Sequence, residues 1–240
     1  MARKTDRRCF LARGIAGAAG AAAFTSVEED TFRAAAAEGT AGSKPKTDIN
    51  PADMPKGKIG DVSMSRLLIG GNLMGGWAHS RDLMYASQLF KEYNTEAKIF
   101  ETLDLCQACG INTLQMDPRC WDPIVKYNQS HSTPMQTMTC IPFMEDKTAM
   151  NETIKREVDT GATLIYSHGG VTDSHMMKGG SMDVIAQMVE LIQAQGVPAG
   201  VGGHSLNMPI ECEKQNVGND FFVKTFHIDR YWSATPEEER

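Results

Sequence analysis

The strongest constraint on this chain is an alternation. Short apolar runs closed by glycine or by a polar residue take turns with stretches of helical period. Arg66-Leu67-Leu68-Ile69-Gly70-Gly71 is the first such run and reads as a buried strand. Thr95 predicts the cap of a helix over 96–109, with Ile99, Phe100, Leu103, Cys106 and Ala108 facing inward and Gly110 ending it. Further strands are predicted over 111–116, 135–143, 162–167, 197–201 and 221–226, the second of these stopped by Pro142. Helices fall at 121–127 and at 151–159, the latter ended by Gly161. A stronger helix begins at Ser181, with Val184, Ile185, Met188, Val189, Leu191 and Ile192 apolar and Gly196 at its end. Asn207 with Pro209 starts one more. Six strands alternating with helices imply parallel βαβ units.

Two architectures are built that way, a (β/α)8 barrel of the TIM type and an open doubly wound sheet. Polar and ionisable residues stand at the C-terminal ends of many strands: Asn72, Asp117, Glu145, His168, His204, and His227 with Asp229. A barrel gathers such positions at one rim, whereas a doubly wound sheet uses one switch point. The reading is therefore an α/β fold, a TIM-type barrel that is incomplete, with about six βα units. Two strand edges are then left without a neighbour, which invites self-association into a homo-oligomer.

Composition sets outer bounds. The formal charge of -6 argues against nucleic acid as a partner. No run reaches the roughly 20 apolar residues of a membrane span, so no integral membrane segment is expected once the N-terminal segment is removed. Six cysteines in 240 residues are too few for a disulfide scaffold. Cys106-Gln107-Ala108-Cys109 has redox spacing, but it lies at the end of a predicted helix rather than at its start. It reads as apolar packing.

The first residues look like an address. Arg7-Arg8-Cys9-Phe10-Leu11 followed by the Gly/Ala-rich stretch 14–24 resembles a twin-arginine export signal. On that reading residues 1–37 are signal and cleavage region, and the mature protein is periplasmic or extracellular. Residues 38–60, rich in Gly, Pro, Lys, Asp and Ser without apolar period, read as a linker. The barrel domain then runs over 61–240.

Three histidines at strand ends, His168, His204 and His227, with Glu145 as carboxylate, could hold a divalent metal such as zinc or manganese. Asp117, Asp173 and Asp229 are alternative carboxylates. Without a metal the same residues are hydrogen-bonded rim groups. Lys224 lies in the last predicted strand. Alternation sets Lys224 and His227 on opposite faces, and a barrel-facing lysine would serve as base or Schiff-base amine. The long segment 75–94 holds Trp77, His79, Arg81, Asp82 and Tyr85. With Asn72 and Asp229, Trp77 and Arg81 suit a carbohydrate, whose ring stacks on aromatics and whose hydroxyls bond charged groups; the other reading is a helical lid. Gly200-Val201-Gly202-Gly203 and His168-Gly169-Gly170 read as tight strand-end turns.

Three stretches resemble the aldo/keto reductase superfamily: 62–71, 109–117 and 162–168. The resemblance implies a catalytic Asp at Asp117 and a catalytic His at His168. The family's Tyr should follow the Asp by about five positions, where Trp121 and Asp122 stand, and its Lys should end the third strand, where Cys140-Ile141-Pro142-Phe143 has none. The fold carries over, and NADPH chemistry less so. The leading expectation is an exported barrel enzyme acting on a carbohydrate or polyol-like small molecule, metal-assisted or not, as isomerase, lyase or hydrolase. The alternatives are an aldo/keto-reductase-like oxidoreductase with altered catalytic residues and a truncated, non-catalytic barrel.

Overall fold

The computed structural model describes residues 49–79 and 83–226, all of which belong to one unit, Thr47–Arg240. The export-like segment 1–37, Arg81, His227 and Asp229 lie outside the described residues. The chain enters through a 3-10 turn, Pro51–Asp53, started by the Asn50 side chain accepting from the Ala52 N–H at 3.1 Å. An antiparallel hairpin follows, β1 (Lys56–Ile59) and β2 (Val62–Ser65), turned at Gly60 with φ 56°. The stretch read as linker up to Gly60 thus carries a strand. Its residues Lys56, Gly57 and Lys58 are exposed, so no apolar pattern marks it.

β3 (Ile69–Gly70) opens the main sheet and is shorter than the predicted strand. Then come α1 (Asn72–Gly75), α2 (Ala86–Tyr93) and α3 (Glu96–Ala108). Thr95 caps α3 as expected, its hydroxyl accepting from Lys98 N–H. β4 (Thr113–Met116) leads through a 3-10 turn, Pro118–Cys120, into α4 (Trp121–Ser130). β5 (Gln136–Ile141) precedes α5 (Lys147–Thr160), which starts earlier than expected because Asp146 caps it, accepting from the N–H groups of Thr148 and Ala149. β6 (Leu164–Ser167) is followed by two helices, α6 (Gly169–Met177) and α7 (Asp183–Gln193). Only the second was legible, because the glycines at the start of α6 read as a turn. β7 (Ala199–Gly203), α8 (Asn207–Lys214) and β8 (Phe221–Lys224) complete the described chain.

The main sheet has six strands in the order β3-β4-β5-β6-β7-β8, all parallel. No strand order reverses, so there is no doubly wound switch point. Sequential winding with right-handed crossovers keeps the helices on one face and curls the other inward. This is an incomplete barrel of the TIM type. Its inner face carries Met138, Cys140, Leu164, Tyr166 and Phe221, closed on one side by Met64 of the hairpin. The outer face packs Ile141, Ile165, Ala199 and Val201 on α5, α7 and α8, and Leu114 and Met116 on α3 and α4. α7 contributes Val184, Ile185, Met188, Val189 and Ile192 to that layer, each fully buried aliphatic stabilising by about 1.5–3 kcal/mol.

Candidate functional site at the barrel mouth

Strand alternation decides what meets at the mouth. Gln115 and Tyr166 face inward, as their hydrogen bond across the sheet shows, Gln115 Nε2 donating to Tyr166 Oη at 2.6 Å. Two residues further along each strand, the same face carries Asp117 after β4 and His168 after β6. His204 stands in the same way after β7, beyond Gly202.

Asp117 is held by Arg119. The guanidinium donates to both carboxylate oxygens at 2.8 Å, and the Arg119 N–H donates to Oδ1 at 2.9 Å. Burial works against ionisation of Asp117, but Arg119 and the nearby His168 outweigh it and hold the carboxyl below the usual range. Arg119 in turn lies over the Trp77 ring, 4.3 Å from its centroid. The ring also packs on the cluster around Leu103 and Met116 and against Gly75, where an added Cβ would fall 2.1 Å from it. Trp77 is therefore engaged in holding Arg119 over the mouth. Asn72 is exposed and pairs with His79, Nδ2 to Nε2 at 3.1 Å.

His168 sits at the N-terminal cap of α6. Burial lowers its pKa; Asp117 raises it, and the charges of His204 and Arg119 lower it again. The result is an imidazole that prefers to be neutral. Its Nδ1 is buried and meets no hydrogen-bond partner among the described residues.

His204 is oriented by Asp173, a residue of α6 whose side chain is fully buried. The Asp173 carboxylate accepts from His204 Nδ1 at 2.5 Å, from the His204 N–H at 3.0 Å and from the Ser205 N–H at 3.3 Å. Burial opposes its ionisation, yet these three donors prevail and keep its pKa below the ordinary value. A carboxylate on Nδ1 leaves Nε2 as the basic nitrogen of the neutral ring. Two glycines make this packing fit. A Cβ on Gly169 would lie 3.2 Å from His204 Cε1, and one on Gly203 would lie 3.1 Å from Asp173 Oδ1. On its other side Asp173 borders a cleft of about 340 Å³ between α6 and α8, lined also by Ser205, Asn207 and Glu211.

The floor below this ring of groups is polar. Cys140 stands in register with Tyr166 on the neighbouring strand, and the Tyr166 hydroxyl accepts from Gln115. Burial pushes the Tyr166 phenol well up and the Cys140 thiol to about 11. Both are neutral hydrogen-bonding groups at physiological pH.

The structure thus brings together Asp117, His168 and His204 from the set expected on sequence grounds. It does not bring in Glu145, which is exposed beyond β5. Lys224 shares its face of β8 with Phe222, which packs on the outer helical layer, while Val223 faces the interior. The Lys224 ammonium donates to the Thr225 carbonyl at 2.7 Å. Among the described residues no three His, Cys, Asp or Glu side chains stand close enough to hold a metal ion. Asp173, weighed as a metal ligand, is instead the partner of His204. Sequence reasoning missed Arg119, Gln115, Tyr166 and Cys140. For Gln115 and Tyr166 the signal was available, since strand alternation sets each two residues before a rim group, whereas Cys140 is placed only by its register with Tyr166.

No family model matches the sequence, and no curated protein matches it significantly. Among solved structures, a mandelate oxidase variant crystallised with 4-Br-2-hydroxy-methylphenylacetate is similar over 80% of this chain, at a TM-score of 0.45 and 11% identity. The chain spans 57% of the length of that protein. Among the described residues no helix is long and apolar enough to cross a membrane.

Proposed function

We propose that the barrel mouth is the active site of an enzyme that moves protons on a small hydroxylated carbonyl compound or polyol, as an isomerase or lyase. The observation that carries this reading is the buried Asp173 carboxylate on His204 Nδ1. A fully buried carboxylate is retained at a desolvation cost. Here it fixes one imidazole tautomer at the strand ends where barrel enzymes do their chemistry. His204 Nε2 takes or returns the proton. His168, disposed to be neutral, is the second proton carrier, beside His204 at the end of the neighbouring strand. Asp117, kept ionised by Arg119, accepts hydrogen bonds from substrate hydroxyls. The Tyr166 hydroxyl and Cys140 form the floor on which the substrate rests. No step needs a metal; the proposed metal set of His168, His204 and Glu145 depends on His227 for its third nitrogen, and metal analysis of purified protein tests it.

The test is solvent exchange. Purified protein is incubated in D2O with a panel of aldoses, ketoses and aldonic acids and followed by NMR. Deuterium should enter at the carbon next to the carbonyl, and His204→Gln should abolish this while leaving the fold intact. Equal incorporation by His204→Gln, or none by the wild type across the panel, rules the reading out.

A second reading is an oxidoreductase similar to the aldo/keto reductases. Asp117 and His168, the two positions of that resemblance, stand close enough at the mouth to influence each other's ionisation. Quenching of protein fluorescence by NADPH at millimolar cofactor tests it, and no binding removes it. We further propose export to the periplasm or beyond through the twin-arginine-like segment. Arg7→Lys with Arg8→Lys should then trap the protein in the cytoplasm. The non-catalytic reading predicts that no rim substitution changes any turnover.

A further inference from the structure

The described chain holds five cysteines, and they divide into two kinds. Cys120, Cys140 and Cys212 are 3%, 7% and 2% exposed, and burial pushes their thiols to about 11, 11 and 12. Cys106 and Cys109 are only half-buried. Packing does not account for them. The face of α3 that meets the core uses Ile99, Phe100 and Leu103, and neither cysteine belongs to that cluster.

The end of α3 holds the two residues in a fixed relation. Cys109 N–H still bonds Leu105 O at 3.0 Å, so the helical path continues through Cys109. Gly110, at φ 80°, then turns the chain; its N–H bonds Gln107 O at 2.9 Å, and Ile111 N–H bonds Cys106 O at 2.9 Å. This crossed pair of bonds is the Schellman closure of a helix. It locks Cys106 and Cys109 one turn apart. Helix geometry sets their Cα atoms at about 5 Å, inside the roughly 4.4–6.8 Å that a disulfide spans. The thiols are near enough for the charge of Cys109 to raise the pKa of Cys106, after burial, which raises it most.

We propose that Cys106 and Cys109 form a thiol–disulfide site at the C-terminal end of α3, oxidised by a small disulfide of the glutathione type. One cysteine thiolate attacks a sulfur of the oxidant, breaks its S–S bond and expels one thiolate, leaving a mixed disulfide on the protein. The second cysteine thiolate attacks the protein-bound sulfur, closes the Cys106–Cys109 bond and expels the second thiolate. Two electrons pass from the pair to the oxidant, and the two protons end on the two released thiols. The C-terminal end of a helix disfavours a thiolate. The reduced pair is therefore not stabilised as thiolate, and the closed disulfide resists reduction, unlike one at a helix N-terminus. The Pro51–Asp53 turn sits against this point, since a Cβ on Gly110 would lie 2.4 Å from Pro51 O.

The experiment uses the full chain, equilibrated with oxidised glutathione, quenched in acid, alkylated after denaturation and digested with trypsin. The peptide 99–119 carries both cysteines. It should appear unalkylated and two hydrogens lighter than the reduced peptide, while Cys120, Cys140 and Cys212 are alkylated. Cys106→Ser and Cys109→Ser should each stall as a mixed disulfide with glutathione. Full alkylation of the 99–119 peptide, separate glutathione adducts on both cysteines, or pairing of either with Cys9 or a second chain overturns the proposal.

Discussion

Replacing Asp173 by asparagine probes the mouth most directly, because the substitution keeps shape and removes charge. The wild-type carboxylate satisfies three donors, His204 Nδ1–H, His204 N–H and Ser205 N–H. An asparagine Oδ1 can serve one or two of them, and its NH2 then confronts the remainder. Hydrogen bonds to a charged acceptor contribute about 1.5–3 kcal/mol each, and a broken buried pair costs about 3–5 kcal/mol. Partial satisfaction by the amide brings the expected loss to about 3 kcal/mol. With a urea slope of about 1–3 kcal/mol per molar, the unfolding midpoint should fall by roughly 1 M or more. The pH dependence has a definite sign. The folded pKa of Asp173 is depressed, so its contribution is present above the unfolded carboxylate pKa of about 3.9 and is lost as pH falls through the folded value. The gap between wild type and variant should therefore close on acidification below about pH 4. Nitrogen NMR at alkaline pH supplies a second readout: His204 carries its proton on Nδ1 in the wild type and moves it to Nε2 in the variant. A midpoint shift of less than about 0.3 M urea, together with an unchanged tautomer, would refute the claim that Asp173 orients His204.

The His168 Cε1 proton should titrate below the ordinary histidine range, and Asp117→Asn should lower that value further by removing the one charge that raises it; an upward move contradicts the arrangement. Because the folded pKa is depressed, the His168 contribution to stability is complete above about pH 6.5 and declines below it, which His168→Gln should abolish in a pH series of urea melts. Gly202→Ala places a methyl 2.4 Å from Ser167 O and 2.9 Å from the Tyr166 ring, and should destabilise by about 1–3 kcal/mol, read as a lower thermal midpoint. Trp121→Phe removes the Nε1 donor to the buried Glu157 carboxylate at 2.7 Å and should cost about 1–3 kcal/mol, whereas Glu157→Gln, which still accepts that bond, should cost less.

The winding of the sheet was readable because each strand and helix carries its own period. Thr95, Gly110 and Gly161 punctuate the chain where local chemistry demands it. Thr95 accepts from a free helix-end N–H, and the two glycines hold φ of 80° and 122°. The hairpin strand Lys56–Ile59 was not readable, since a two-stranded ribbon exposed to water needs no apolar face. At the mouth, Asp117, His168 and His204 were visible as polar residues closing apolar runs. Their partners were not equally visible. Arg119 meets Asp117 only because a 3-10 turn folds it back, and Asp173 meets His204 across 31 residues. The second pairing is a product of tertiary packing that no local spacing encodes, whereas the first is local, two residues apart within the turn.

The glycines around β7 show how sequence and site are connected. Their expected role was a turn with positive φ, yet Gly200, Gly202 and Gly203 are strand residues, and none is among the described glycines with positive φ. What they supply is absent volume. A Cβ on Gly200 would lie 2.3 Å from the Phe221 ring, one on Gly202 would strike Ser167 O, and one on Gly203 would crowd Met208 and Asp173. Gly200 and Gly202 face the interior and let Phe221 and Tyr166 fill the space beside a strand that contributes no side chain there. Gly203 faces the helices and lets α6 approach until the Asp173 carboxylate reaches the His204 N–H and ring. Glycine within a strand costs about 0.5–1 kcal/mol relative to alanine, so three in five residues weaken β7 unless close packing offsets the loss. That offset arises where Tyr166 and Asp173 sit, directly beneath and behind His204. The run Gly200-Val201-Gly202-Gly203-His204 is thus one device, a thin strand that brings floor, carboxylate and imidazole into contact. Restoring bulk at Gly203 should uncouple Asp173 from His204 before it unfolds the barrel.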